Sequence, residues 1–93
     1  MSRASLLVLS PTPDRADAVA FGTRLRALRR QRFLTQEDLA DHCRLSRTTI
    51  RRLEAGAVRP RVHTVTALAA GLHVDAAELV PDPAQFWAEE TTP

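Results

Sequence analysis

The sequence predicts an all-α fold, with five short helices packed around one core and a short extension at each end. Its 93 residues leave room for a single small domain. Aromatic residues make up only 4% of the chain, so the core must depend on Leu, Val, Ile and Ala, which suits packed helices better than a sheet. Apolar residues also recur at helical spacing, between residues that are typical of helix starts and ends.

The N-terminal third is predicted to hold an arm and the first helix. Residues 1–11, which include the apolar run Leu6–Leu9, are expected to form a loose arm. Thr12-Pro13-Asp14 favours a helix start, with Thr as N-cap, Pro at the first helical position and an acid in the first turn. The first helix is predicted over 13–31, weakened slightly by Gly22. Its buried side would hold Phe21, Leu25 and Leu28.

The next two helices are predicted on either side of a tight turn. Thr35 is the expected N-cap of a second helix, 35–42, and Ser46 that of a third, 46–54. Gly56 ends the third helix, at a position that usually needs a positive φ. The inward-facing residues of the pair are predicted to be Leu39, Ala40, Ile50 and Leu53. The third helix would expose Arg47, Thr48, Arg51 and Arg52.

The charge distribution indicates what this helix pair binds. Two short helices across a tight turn, the second with exposed arginines, form the arrangement with which proteins insert a helix end into the DNA major groove. The net charge of +2 conceals a block at residues 24–61, where 11 arginines and four acids give +7. Residues 1–23 sum to zero and residues 62–93 to −5. Because the positive block coincides with the helix pair, phosphate binding explains it better than a merely solvated face does.

Two further helices and a tail complete the predicted organisation. A fourth helix is expected over 62–72, and Asp75 would cap a short fifth helix that ends at Leu79. The apolar residues at helical spacing on the fourth helix are Val62, Val65, Leu68 and Leu72. The DNA-binding domain is thus predicted at 12–80 and a C-terminal tail at 81–93. The tail contains Phe86 and Trp87, which either cover the domain's own core or contribute to a dimer surface.

Several classes of protein are disfavoured by the composition. The single cysteine permits no intramolecular disulfide, which indicates a cytoplasmic protein, and the apolar run in the arm is too short to span a membrane. His42 and Cys43 are neighbours on a helix and therefore point about 100° apart, so they are not expected to share one site. His63 and His73 are too far apart along a helix to bind one metal. We therefore expect no enzyme, no metal site and no cofactor.

The motifs resemble a known family over about residues 18–80. They are LTQEDLA at 34–40, LSRTTI at 45–50, LEAG at 53–56 and Arg59-Pro60. In combination they are similar to the helix-turn-helix domain of lambdoid phage repressors and Cro proteins, also called the XRE type. The resemblance implies a five-helix, lambda-repressor-like DNA-binding domain.

The resemblance also implies roles for individual residues. Those expected to contact base edges are Arg47, Thr48 and Arg52. Those expected to contact phosphate are Gln36, Ser46, Thr49, Arg59 and Arg61. Arg29 and Glu54 are expected to form an ion pair inside the fold, which joins the first helix to the end of the third.

At three helix ends the chain departs from the family. Glycine is usual at the ends of the first, second and fourth helices, where this chain has Phe33, Arg44 and His73. These positions tend to need a positive φ, which costs a residue other than glycine about 1–2 kcal/mol. The turns are therefore expected either to carry strain or to differ in their backbone.

Together the patterns predict a sequence-specific regulator of transcription, most simply a repressor. A homodimer on a palindromic operator is expected, because two copies related by a two-fold axis would place their recognition helices about 34 Å apart, one turn of DNA. Two alternatives remain open. One is an antitoxin that uses the same DNA-binding core and neutralises a protein toxin. The other is a protein-interaction module that keeps the fold and does not bind DNA.

Overall fold

The structure is a computed structural model that describes residues 13–80. Within that range the chain forms five α-helices and no strand, which confirms the all-α prediction. We number them α1 (Pro13–Gln31), α2 (Gln36–Cys43), α3 (Arg47–Glu54), α4 (Val62–Leu72) and α5 (Ala76–Leu79). The predicted arm at 1–11, with its apolar run, and the tail at 81–93, with Phe86 and Trp87, lie outside the described residues.

Helix α1 crosses helix α3 at very close range. Phe21 and Leu25 are buried in the core, and Leu28 packs partly buried against it. A methyl group at Gly22 would collide with the carbonyl oxygen of Leu53 and lie 2.7 Å from that of Glu54. The sequence predicts only that Gly22 weakens the first helix. The structure shows that the absence of a side chain at Gly22 lets α1 approach the backbone of α3.

Helices α2 and α3 begin at side-chain caps. The Thr35 hydroxyl accepts a hydrogen bond from the N–H of Asp38, whose carboxylate accepts one from the N–H of Thr35. The hydrogen bond that the carboxylate accepts from the Thr35 N–H, followed by the interaction with the Thr35 hydroxyl, lowers the pKa of Asp38. Ser46 caps α3 by accepting from the N–H of Thr49. Because the caps themselves are not helical, α2 and α3 each begin one residue after the predicted start. Helix α2 also ends one residue after its predicted end.

Within residues 13–80, four turns contain a left-handed residue. Phe33, Arg44 and His73 have φ values of 56°, 57° and 58°, and Gly56 has a φ of 70°. The three departures from the expected glycines therefore keep the left-handed backbone and carry its strain, rather than changing the turn.

Helices α4 and α5 close the core. From Thr64 onward α4 buries its inner side, but Val62 is 49% exposed. The expectation that Val62 belongs to the apolar side of α4 is therefore only half met, because the first turn of the helix lies outside the core. The buried cluster contains Phe21, Leu25, Leu39, Ala40, Cys43, Ile50, Leu53, Val65, Leu68, Ala69, Leu72, Leu79 and Val80. Among the described residues, no helix is long and apolar enough to cross a membrane.

Candidate nucleic-acid interface

Helix α3 divides into two sides. Ile50, Leu53 and Glu54 are buried, and the other side consists of polar residues. The exposed residues of α3 are Arg47, Thr48, Arg51 and Arg52. At 100° per residue these four side chains span an arc of about 140° around the helix axis. An arc of this width, which carries three cationic side chains and no acid, suits a concave anionic surface such as a DNA groove.

An open cleft of about 420 Å³ lies where α2 and α3 begin. It is lined by Arg29, Thr35, Gln36, Glu37 and Arg47. The structure therefore brings Arg47, a predicted base-contacting residue, and Gln36, a predicted phosphate-contacting residue, to one cleft.

Ser46 and Thr49 already have a role within the fold. Their hydroxyl oxygens lie 2.8 Å apart, and the Ser46 oxygen also caps α3. Ser46 is exposed and Thr49 half-buried. Each hydroxyl has capacity for a further hydrogen bond, because it is both a donor and a two-fold acceptor.

The two arginines after α3 differ in their exposure. Arg59 is half-buried, whereas Arg61 is exposed and occupies the N-cap position of α4. No side chain caps this helix start, and its first turn contains no acid. The positive charge of Arg61 next to the positive end of the helix dipole favours an anion at this position.

Glu54, the last residue of α3, has a fully buried side chain. Arg29 donates to it twice, from Nε to Oε2 at 2.6 Å and from Nη2 to Oε1 at 2.9 Å. Arg29 Nη1 also donates to the carbonyl oxygen of Leu34 at 2.8 Å. The pair implied by the resemblance is thus a bidentate ion pair that joins α1 to the end of α3.

Two further groups near Glu54 are absent from the sequence-based prediction. Gln36 Nε2 donates to Glu54 Oε1 at 3.2 Å, and Arg26 Nε lies 3.5 Å from the same oxygen. Burial acts to raise the pKa of Glu54, but the hydrogen bonds from Arg29 and Gln36 and the two guanidinium charges outweigh it, so the pKa lies below its ordinary value. Arg26 is three residues before Arg29, a spacing that places both on one side of a helix, and this signal could have found it. No comparable signal links Gln36 to Glu54.

The remaining candidates for chemistry are isolated. Cys43 is buried, and burial raises the pKa of its thiol. His42 Nδ1 hydrogen-bonds the carbonyl oxygen of Asp38 at 2.7 Å. No group of three or more His, Cys, Asp or Glu side chains within residues 13–80 is arranged to hold a metal ion.

Comparison with known proteins identifies the family. A family model described as a helix-turn-helix domain, HTH_31, matches residues 20–80, which is more than half of the chain. The chain belongs to the helix-turn-helix domain family. This confirms the resemblance that the motifs predict. No curated protein matches the chain.

Solved structures share this helix-turn-helix fold. The restriction-modification controller protein C.AhdI from Aeromonas hydrophila is 38% identical, with a TM-score of 0.67, over 69% of this chain and 97% of that one. The hypothetical transcription factor NHTF from Neisseria is 26% identical, with a TM-score of 0.67, over 89% and 94%. An HTH_3 family transcriptional regulator from Vibrio cholerae is 22% identical, with a TM-score of 0.71, over 85% of this chain but only 44% of that one. The fold is that of helix-turn-helix transcriptional regulators.

Proposed function

We propose that the chain is a sequence-specific regulator of transcription that inserts α3 into the major groove of double-stranded DNA. The observation that carries this proposal is the exposed side of α3, with three arginines and a threonine and no acid, next to the cleft at the start of α2. A block of net charge +7 over residues 24–61 supplies the attraction for phosphate. The most direct mode of action is repression, in which the bound protein blocks polymerase. We further propose that the protein has no catalytic activity and that it acts in the cytoplasm.

Arg47, Thr48 and Arg52 are the proposed base-contacting residues. All three are exposed on α3. An arginine can donate to O6 and N7 of one guanine together, which discriminates against the other bases by about 1–3 kcal/mol. A threonine hydroxyl can donate or accept, and its methyl group can contact the methyl of thymine.

The proposed phosphate-contacting residues surround α3. They are Gln36, Ser46, Thr49, Arg59 and Arg61. Arg61 has the strongest support, because it is exposed at an uncapped helix start, whereas the half-buried Arg59 presents less of its side chain.

The proposed assembly on DNA is a homodimer on a palindromic operator. One helix of eight residues contacts only a few base pairs, too few to select one operator among the competing sites of a genome. Two copies would double the number of base pairs read.

The comparison with a restriction-modification controller protein supports gene control as the role, and we propose the same kind of role here.

Selection of bound duplexes from fragmented genomic DNA would test the function and supply the operator. On that operator, Arg47→Ala should weaken binding by about 1–3 kcal/mol and relax the preference at one or two base pairs. Arg24→Ala is a matched control, since Arg24 is exposed on α1. Equal losses on operator and random DNA would reassign Arg47 to phosphate. No binding to any duplex at low salt would favour the protein-interaction module.

Salt dependence would test the phosphate contacts. Arg61→Ala should weaken binding to all sequences alike and reduce the slope of log affinity against log salt by about one unit. An unchanged slope would remove Arg61 from the interface.

The proposed dimer has its own test. Titration of operator DNA with the full chain should saturate at two chains per duplex, and saturation at one chain would contradict the dimer.

A further inference from the structure

Gln36, like Arg29, contacts the buried carboxylate of Glu54 and also lines the cleft. Its Nε2 atom donates to Glu54 Oε1 at 3.2 Å, and the residue is half-buried. It is also the first residue of α2 and forms part of the cleft wall beside Arg47. A change at Glu54 can therefore reach the cleft through the Gln36 amide.

The chemistry of the two groups fixes how the Gln36 amide is turned. A primary amide has a donor end and an acceptor end, whereas an ionised carboxylate only accepts. The bidentate donation from Arg29 keeps Glu54 ionised. The NH₂ group of Gln36 must therefore face Glu54, because the reversed amide would place its oxygen against a carboxylate oxygen. One N–H is then used inside the fold, and the second N–H is left for another acceptor.

We propose that Glu54 is a positioning residue for DNA binding, which turns the amide of Gln36 so that its second N–H donates to a DNA phosphate at the cleft between α2 and α3. This inference rests on the proposed function, and it assigns Glu54 a part in DNA binding in addition to its ion pair with Arg29. Arg29 and Arg26 together exceed the charge of Glu54 by one, so the wall behind the amide is net positive. A phosphate at the cleft is consequently not repelled by the buried acid.

The arrangement also explains why the carboxylate, and not a neutral amide, suits position 54. A glutamine there could donate to or accept from Gln36, so both orientations of the Gln36 amide would be populated. In one of them the amide oxygen would face the phosphate and repel it. Loss of a hydrogen bond to a charged group weakens binding by about tenfold or more, and loss of a preferred orientation alone by less.

A double-mutant cycle on DNA affinity tests the coupling. The variants are Gln36→Met, Glu54→Gln and the double variant, measured on random-sequence duplex at low salt and at a temperature where circular dichroism shows each to be folded. Gln36→Met should weaken binding by about tenfold and Glu54→Gln by about threefold, and the double variant should bind no more weakly than Gln36→Met alone. Gln31→Met makes the same chemical change at an exposed position on α1 and should leave affinity unchanged.

The side-chain amide resonances of Gln36 provide a second test that needs only the wild-type chain. In ¹⁵N-labelled protein, the signal pair missing from the Gln36→Met spectrum is that of Gln36. On addition of DNA, one of its two protons should shift markedly, and the proton bound to Glu54 should not. If Glu54→Gln does not fold, this measurement alone decides.

The outcomes separate the inference from the function on which it rests. If wild-type protein binds no duplex at low salt, the proposed function fails. If wild-type protein binds DNA but the losses of the two single variants add in the double variant, or neither amide proton responds to DNA, only the positioning role of Glu54 fails.

Discussion

The two sides of α3 differ in what a substitution can change. On the inner side Ile50 and Leu53 are almost inaccessible, and the Glu54 carboxylate is satisfied by Arg29 and Gln36. On the outer side the residues are polar and exposed. The same eight-residue helix therefore contributes to the stability of the fold with one side and presents the proposed DNA contacts with the other. Substitutions of Ile50 and Leu53 should alter the free energy of unfolding, and substitutions on the outer side should alter DNA affinity. Glu54, which is buried but bound to Gln36, should affect both.

Glu54→Ala should have the largest effect on stability. The substitution leaves the Arg29 guanidinium, whose side chain is only 11% exposed, without its carboxylate. Removal of one partner of a buried pair costs about 3–5 kcal/mol. In a domain whose total stability is about 5–15 kcal/mol, this is a loss that thermal or urea denaturation measures easily.

Glu37→Ala is the matched control for that loss. Glu37 is an exposed acid in the first turn of α2, where its interaction with the helix dipole is worth about 0.3–1 kcal/mol. If Glu54→Ala and Glu37→Ala lower the free energy of unfolding by similar amounts, the distinction between the inner and outer surfaces does not hold.

A fall in pH should remove the stabilisation that Glu54 provides, without a mutation. Because the pKa of Glu54 lies below its ordinary value in the folded protein, the unfolded chain takes up a proton first as the pH falls. The stabilisation is complete above about pH 4.3, the ordinary pKa of glutamate, and is lost as the pH falls through the folded value. Asp38 adds to this dependence, since its pKa is lowered too. Urea denaturation from pH 6 to pH 3 should show a smaller decline in Glu54→Gln than in wild type, and equal declines would contradict the role of Glu54.

Gly22→Ala should destabilise, although alanine is the better helix former by about 1 kcal/mol. The added methyl group would collide with a backbone oxygen of α3, which cannot move without shifting the helix. Overpacking of this kind costs about 1–3 kcal/mol. Gly71→Ala is the comparison in α4, where the nearest atom is the Cys43 Sγ, a side-chain atom that can rotate. A gain in stability for Gly22→Ala, measured by thermal denaturation, would mean that the two helices are not held at this separation.

The sequence predicts the local features of the domain well and the contacts between helices poorly. Thr35 and Ser46 act as N-caps, as expected, because a cap involves only residues within one turn. The three positions without the expected glycine have a positive φ. By contrast, the close approach at Gly22 and the hydrogen bond from Gln36 to Glu54 join residues that are distant in the chain. Such contacts depend on how the helices cross, which no pattern within one helix contains.

Phe33→Gly should change stability least, and in the opposite direction. Phe33 has a φ of 56° and is 93% exposed, so its side chain contributes almost nothing to the core. Glycine removes left-handed strain of about 1–2 kcal/mol but makes the unfolded chain more flexible, which leaves a net gain of about 0.5–1 kcal/mol. In a domain of this size the melting temperature should rise by about 4 °C.

Gly56→Ala makes the reverse change at the left-handed position that holds glycine. There the added methyl group would lie 2.9 Å from Val19 Cγ2 and 3.0 Å from Val19 Cα, so crowding is added to backbone strain. The melting temperature should fall. If Phe33→Gly also lowers the melting temperature, Phe33 makes a stabilising contact that outweighs the strain, and its side chain contributes to the folded state. If Gly56→Ala is neutral, strain at these turns is too small to measure. A rise for Phe33→Gly and a fall for Gly56→Ala would show that this chain needs glycine where a side chain would be crowded, and tolerates another residue where only the backbone favours glycine.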